Sequence, residues 1–97
     1  MMKMVMVVYN EAIDIEVMEL LENCALKGYT QIKGVYGRGR ASGTHLGNDI
    51  WPGRNNLLYL ACEEKEARQF FSCVRELRKK IGKEGIKAFI LPVEEVT

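Results

Sequence analysis

The chain has 97 residues, which is enough for one domain but leaves no room for a second hydrophobic core, so we expect a single domain over 1–97. Apolar residues make up 47% and charged residues 28%, values that exclude intrinsic disorder and favour a globular fold. The 14 Lys and Arg residues against 13 Asp and Glu residues give a formal charge of +1, which provides no general attraction to nucleic acid or to anionic lipid.

The cysteines and the apolar N-terminal run argue against an oxidising or membrane location. Cys24, Cys62 and Cys73 are odd in number, widely spaced and embedded in apolar segments, so we expect neither a disulfide framework nor a zinc site. We interpret Cys62 and Cys73 as small buried apolar groups. The run 4–8 is too short for a signal sequence or a membrane span. We therefore expect a cytoplasmic protein without membrane insertion.

In chain order the elements alternate between strand and helix. Continuous or alternating apolar and β-branched residues predict four strands, and helical spacing of apolar residues predicts two helices. The strands are predicted at 4–9, 29–36, 57–62 and 86–91, and the helices at 10–28 and 64–80. The first strand is apolar throughout, which is typical of burial on both faces. Gly28 is the predicted end signal of the first helix.

This βαββαβ order predicts an α+β fold of the ferredoxin-like type, with a four-stranded antiparallel sheet and both helices on one face. The second and third strands should pair antiparallel across a long loop at 37–56. The other sheet face would carry no helix. Because a bare sheet of this size is usually covered by another subunit, we expect self-association.

The 37–56 loop is the best candidate for a functional element, because loops this long are uncommon in small domains unless they have a function. It contains Arg38, Arg40, His45 and Arg54 against Asp49, a local positive excess. Its glycines allow close backbone approach, and arginine forks suit phosphate oxygens. The pattern matches no standard phosphate loop, so glycine turns with solvated arginines remain an equal alternative.

A second cluster, KKIGKEGIK at 79–87, lies between the second helix and the last strand. Helix capping by Gly82 or Gly85 explains its glycines but not its density of lysine. His45 is the only histidine, and a hydrogen-bonding surface role is favoured over metal ligation. Trp51 is expected to pack the loop against a neighbour. Since no catalytic constellation is evident, we expect a protein that is not an enzyme.

Two segments resemble the nitrogen-regulatory PII proteins and their PII-like relatives. DIEVMELLENCALKGYTQIKGVYGRGR looks like that family's first helix and second strand, which enter its T-loop through a glycine-rich base. KIGKEGIKAFILPVEEV is similar to the family's nucleotide-gripping turn and last strand, and this second match is the more specific one. The resemblance runs in order along nearly the whole chain.

The resemblance implies a homotrimer with an adenine nucleotide, AMP, ADP or ATP, in each of three clefts between subunits. It places Gly37 and Arg38 at the T-loop base, and Gly82, Gly85 and Lys87 at the phosphate from the other subunit. From charge or position we add four neighbours, Gly39, Arg40, Arg54 and Lys83. The loop would report the ligand state to an unidentified partner protein.

Three departures from the family pattern narrow the expected function. The loop has no tyrosine to accept a nucleotidyl group, and Gly39 stands where family members use a glutamine with magnesium and 2-oxoglutarate. The chain also ends at Thr97 without the arginines that help to bind triphosphate. We therefore expect a PII-like relative that favours AMP or ADP over ATP.

Two other classes of protein with a ferredoxin-like fold are alternatives. A ferredoxin-like trimer for metal homeostasis would use His45 and loop oxygens as ligands, and this is the alternative function. An RNA-binding module is disfavoured, because the second and fourth strands lack a cluster of exposed aromatic residues for base stacking.

Overall fold

The computed structural model describes residues 1–37, 54–82 and 85–97. It contains β1 (Met2–Asn10), a 3-10 turn (Glu11–Ile13), α1 (Asp14–Asn23), β2 (Thr30–Val35), β3 (Asn55–Glu63), α2 (Glu64–Ile81) and β4 (Ile86–Pro92). The strands form one antiparallel sheet in the order β2-β3-β1-β4. This architecture confirms the ferredoxin-like prediction, including the antiparallel pairing of β2 with β3.

The hydrophobic core lies between the two helices and one face of the sheet. In β1, Val5, Val7 and Tyr9 are buried there, while the residues between them are partly exposed. The expectation that this strand is buried on both faces is therefore wrong for the single chain. The remaining core residues come from all the other elements except β2: Ile13, Val17, Leu21, Leu26, Leu58, Leu60, Cys62, Ala67, Phe70, Val74 and Ile86.

Neither described helix packs on the opposite face of the sheet, which we call the bare face. Its apolar side chains come from all four strands: Met4, Met6, Val8, Ile32, Leu57, Tyr59, Phe89 and Leu91. Phe89 and Leu91 are each 41% exposed, a high value for large apolar side chains in the middle of a strand. Such a continuous apolar surface is typical of an interface between protein chains.

The two helices end at different kinds of residue. α1 stops at Asn23, and Ala25 takes the left-handed conformation, with φ of 55°, that usually selects glycine. The Leu26 amide donates to the Leu21 carbonyl at 2.9 Å and closes this end. Gly28 is therefore not the stop residue that the sequence indicated. Of the two glycines that the sequence offered as the end of α2, Gly82 is the cap, and its φ of 97° is open to glycine and strained for other residues.

Candidate functional site

The candidate site lies at the end of the sheet where β1 stops and β3 and β4 begin. The Asn10 amide donates to the Gly85 carbonyl at 2.9 Å, and the Glu11 amide donates to the Arg54 carbonyl at 3.3 Å. Because β1 lies between β3 and β4, Arg54 and Gly85 flank this corner about 10 Å apart, two strand spacings. The 37–56 loop and the glycine-lysine turn within 79–87 therefore join the sheet at neighbouring positions on the same end.

The base of the long loop is shaped by a bulge in β2. Ile32 pairs with Leu57 and Val35 pairs with Asn55, so β2 contains one extra residue between these pairs. Gly34 lies in the bulge with φ of 69°, a conformation that favours glycine. A bulge bends its strand and increases the local twist, which here sets the direction in which the chain leaves the sheet at Gly37.

Arg54 faces solvent at the other side of the loop base. Its guanidinium donates to the Tyr36 side chain, and this hydrogen bond, followed by the nearby Glu11 carboxylate, raises the pKa of Arg54. Arg54 carries a permanent positive charge. Its neighbours are Tyr36, which directly follows β2, and Glu11, which directly follows β1. The guanidinium is exposed and has further donors for an anion.

A buried polar network supports the corner from below. The Tyr9 hydroxyl donates to Asp14 Oδ1 at 2.6 Å and accepts from Gln31 Nε2 at 2.8 Å. Asp14 Oδ1 also accepts from Gln31 Nε2 at 3.0 Å and from Asn56 Nδ2 at 3.3 Å. Burial, and then the hydrogen bond to Asp14, raise the pKa of Tyr9 to about 12, so its hydroxyl keeps its proton. The network fixes β1, α1, β2 and β3 relative to one another beneath the loop base.

Asn56 connects this network to the bulge. Its side chain is 3% exposed, and its Oδ1 accepts from the Gly34 amide at 3.3 Å while its Nδ2 donates to Asp14. Both polar atoms of this buried amide are therefore satisfied, which is the usual condition for burying it. The pairing places Asn55 and Asn56 inside β3, so the sequence-based boundary of the loop at residue 56 is two residues too long.

The structure locates five of the predicted ligand-binding residues. Gly37, Arg54, Gly82, Gly85 and Lys87 all lie at the same end of the sheet, and Lys87 projects from the bare face at the start of β4. A β-carbon on Gly37 would lie 3.7 Å from Asn55 Nδ2, an ordinary contact, so packing against the described residues does not explain this glycine. The other predicted positions lie outside the described residues: Arg38, Gly39, Arg40 and Lys83, together with His45 and Trp51.

Other possible sites in the described part of the chain are weaker. A shallow depression lined by Met4, Tyr29, Tyr59 and neighbouring residues lies at the opposite end of the sheet and is open to solvent. Residues 1–37, 54–82 and 85–97 contain no group of three or more His, Cys, Asp or Glu side chains that could hold a metal ion. None of the helices described is long and apolar enough to cross a membrane.

Sequence reasoning missed the parts of the site that depend on tertiary structure. It assigned no role to Glu11, Tyr36 or Asn56, because their partners lie in other elements. A usable signal was present for the bulge, since an isolated glycine within a strand pattern often marks one, and Gly34 is such a glycine. No comparable signal links Asp14 to Gln31.

Comparisons with known proteins identify the family of the chain and solved structures with a similar fold. The family model described as nitrogen regulatory protein P-II matches residues 2–97. CPII of Thiomonas intermedia, in a structure described as bound to ADP, AMP and acetate, aligns with a TM-score of 0.74 at 13% identity, covering 99% of this chain and 89% of CPII. The apo form of CPII aligns with a TM-score of 0.69 at 13% identity, over 92% of this chain and 85% of CPII.

A second solved relative is a protein of Thermus thermophilus described as PII-like and signalling. It aligns with a TM-score of 0.67 at 20% identity, covering 92% of this chain and 82% of its own. The search of curated proteins finds no match. These structural likenesses independently support the fold, and the family model spans almost every residue. The chain belongs to the nitrogen regulatory protein P-II family.

Proposed function

We propose that this protein is a PII-like regulatory protein, without catalytic activity, that binds an adenine nucleotide between the subunits of a homotrimer and reports it through the 37–56 loop. The observation that carries the proposal is the corner at Asn10 and Glu11, where the base of that loop and the glycine-lysine turn leave the sheet as neighbours. The structure of CPII described with ADP and AMP supports the ligand class. The complete set of ligands in that structure, which also includes acetate, is stated only of CPII.

The bare face supports the trimeric arrangement. Phe89 and Leu91 are exposed there beside partly exposed methionines, and burial of such a surface stabilises an assembly by about 25 cal/mol per Å² of apolar area. Lys87 lies on the same face at the site end, so assembly through this face brings Lys87 toward the loop base of a neighbouring subunit. The cleft would then receive positive charge from two chains.

Charge at the loop base favours a small anionic ligand. Arg54 remains protonated, with the Tyr36 side chain beside it and the Glu11 carboxylate nearby. A nucleotide phosphate can bind the exposed guanidinium, since Arg forms forked hydrogen bonds with phosphate oxygens. AMP or ADP is the nucleotide proposed here in preference to ATP, since ADP and AMP are the nucleotides named with the CPII structure. Ligand binding then selects one loop conformation, and a partner protein recognises it.

Calorimetry with AMP, ADP and ATP tests ligand binding. Arg38→Ala and Lys87→Ala should each weaken binding by roughly 10-fold or more, because each removes a charge-assisted hydrogen bond. Arg68→Ala and Lys65→Ala are matched controls, since they remove the same charges from the opposite end of the sheet. Absence of heat with all three nucleotides, or equal losses in the controls, would refute the proposed site.

Trypsin cleavage tests the reporting role of the loop. Arg38, Arg40 and Arg54 supply cleavage points within or beside it. Saturating nucleotide should slow cleavage after these residues by several-fold, while cleavage elsewhere in the chain provides the reference rate. If a nucleotide that binds in calorimetry leaves the cleavage rates unchanged, the protein binds nucleotide without changing the loop. The proposed reporting role of the loop would then be wrong.

A further inference from the structure

Cys24 and Cys73 lie side by side although they are 49 positions apart in the sequence. Their Sγ atoms are 3.7 Å apart, within the range of a thiol hydrogen bond. Cys24 caps the C-terminal end of α1, and Cys73 lies in the middle of α2. Both are partly exposed, so the sequence-based interpretation of Cys73 as a small buried apolar group is wrong, whereas Cys62 is buried as expected. A small solute can therefore reach the pair.

We propose that Cys24 and Cys73 form a reversible disulfide within one chain by exchange with a small disulfide of the glutathione type. The sulfur atoms need to approach by roughly 1.7 Å to reach the bonded distance of about 2.0 Å. Cys24 is the C-cap that follows the last residue of α1, where small backbone adjustments break few hydrogen bonds. The approach is thus available to side-chain rotation and a slight shift of the helix end.

The end of α1 holds Cys24 in this position. The Cys24 amide donates to the Leu20 carbonyl at 3.0 Å, and the left-handed Ala25 turns the chain so that the Leu26 amide reaches Leu21. Leu26 is buried in the core, which anchors the turn. The thiol of Cys24 packs against the core edge, facing α2. This arrangement resembles a prepositioned pair rather than a chance encounter of two mobile side chains.

The disulfide exchange is balanced in atoms and electrons, and it needs no reagent besides the small disulfide. One cysteine thiolate attacks the small disulfide, forms a mixed disulfide and releases one small thiol. The second cysteine thiolate then attacks the protein sulfur of that mixed disulfide, forms the Cys24–Cys73 bond and releases the second small thiol. The two protein sulfurs are oxidised by two electrons in total, and the small disulfide is reduced to two thiols. The two thiol protons are transferred to the departing thiolates.

The raised pKa of Cys24 favours slow thiol–disulfide exchange over rapid reaction with an oxidant. Burial, and then the hydrogen bond with Cys73, raise the pKa of Cys24 to about 11, so the thiol form dominates at neutral pH. Cys62 provides an internal comparison: it is buried on β3, and burial followed by Glu66 and Glu63 raises its pKa. None of the described hydrogen bonds joins Cys62 to Cys24 or to Cys73. The crosslink is therefore specific to two of the three cysteines.

The test measures free thiols after equilibration with glutathione buffers from fully reduced to fully oxidised. After acid quenching, denaturation and alkylation, the intact mass should show that oxidised wild type has lost two alkylation sites, and peptide mapping should place the bond between Cys24 and Cys73. Cys62→Ala should still form the bond. Cys24→Ser and Cys73→Ser should not form it, and each should instead hold a mixed glutathione adduct.

Thermal unfolding gives an independent measurement. The bond joins α1 to α2 across the segment that contains β2 and β3, so it restricts the unfolded chain more than the folded one. Oxidised wild type and Cys62→Ala should melt roughly 5 to 15 °C higher than their reduced forms, while Cys24→Ser should show no such rise. Three alkylated thiols at every redox ratio, a bond involving Cys62, or a bond between chains would overturn the proposal.

Discussion

At the scale of single residues, Asp14 is the centre of the interactions beneath the candidate site. One of its carboxylate oxygens accepts hydrogen bonds from Tyr9, Gln31 and Asn56, which belong to three different strands. A carboxylate in a partly buried position needs such donors, since an unpaired buried charge is very unfavourable. The same bonds hold three strand ends in fixed relation. Asp14 thus links the start of α1 to the geometry of the loop base.

Tyr9→Phe should destabilise the fold, because the Tyr9 side chain is almost fully buried and its hydroxyl donates to a charged acceptor. The expected loss in the free energy of unfolding is about 1 to 3 kcal/mol. Tyr29→Phe is the control, because the Tyr29 hydroxyl is exposed and contacts only the Met18 sulfur among the described side chains. Its effect should stay within about 0.5 kcal/mol. Urea unfolding of both variants and wild type measures the difference.

The raised pKa of Tyr9 also predicts a dependence of stability on pH. Below pH 10 both the folded and the unfolded chain keep the tyrosine proton, so the stabilisation by Tyr9 is complete. As pH rises from about 10 through about 12, the unfolded chain loses this proton first, and the stabilisation is lost. By about pH 11, the stability advantage of wild type over Tyr9→Phe should shrink by about 1.4 kcal/mol. A constant advantage between pH 9 and pH 11 would contradict the shift.

At the scale of elements, the ends of helices and strands show what the sequence can and cannot predict. Apolar spacing predicts both helices and all four strands, and glycine placement reduces the end of α2 to two candidates, Gly82 and Gly85. The end of α1 does not, because Ala25 adopts a conformation for which alanine has no preference. The burial of Leu26 and the hydrogen bond to Leu21 impose it. Local propensity is here overridden by tertiary packing.

The candidate site likewise contains residues that the sequence predicts and residues that it does not. The resemblance to the PII family selected Gly37, Gly82, Gly85 and Lys87, and the charge of the long loop selected Arg54. The fold brings all five to one end of the sheet. The side chains that shape this end were not predictable, since each one is defined by a partner in a different element. The sheet order determines those partners, and hydrophobic periodicity alone does not specify sheet order.

Ala25→Gly should stabilise the protein, because glycine adopts a φ of 55° without the steric strain that alanine has there. The expected gain is up to about 1 kcal/mol after the greater flexibility of glycine in the unfolded chain is included. Gln69→Gly is the matched control in the exposed interior of α2, where glycine should destabilise by roughly 0.5 to 1 kcal/mol. Opposite signs in thermal or urea unfolding would establish the strained position, and a loss at both positions would contradict it.

At the scale of the whole molecule, both faces of the sheet carry apolar side chains, but the described helices cover only one of them. The core face is filled by residues from both helices, and the bare face presents side chains from every strand. A chain of this size buries a limited share of its surface on folding, so association contributes a large additional stabilisation. The proposed homotrimer therefore serves stability as well as ligand binding.

Phe89→Asp should convert the assembly to single chains, because burial of the new carboxylate in an apolar interface is strongly unfavourable. Ile15→Asp is the control, since Ile15 is 73% exposed on α1, away from the bare face. Light scattering coupled to size exclusion should give a threefold lower mass for Phe89→Asp and an unchanged mass for Ile15→Asp. A wild-type protein of 11.1 kDa at every concentration would exclude the trimer and the cleft together.

The two hydrogen bonds at the corner also make adjacent backbone amides into separate probes of two different loops. The Asn10 amide is protected from exchange with deuterium by the carbonyl that precedes β4, and the Glu11 amide by the carbonyl that precedes β3. A ligand that tightens one loop base and leaves the other unchanged will therefore slow exchange at one of these neighbours alone. Two consecutive amide signals can thus reveal, without any substitution, which side of the corner responds to the ligand.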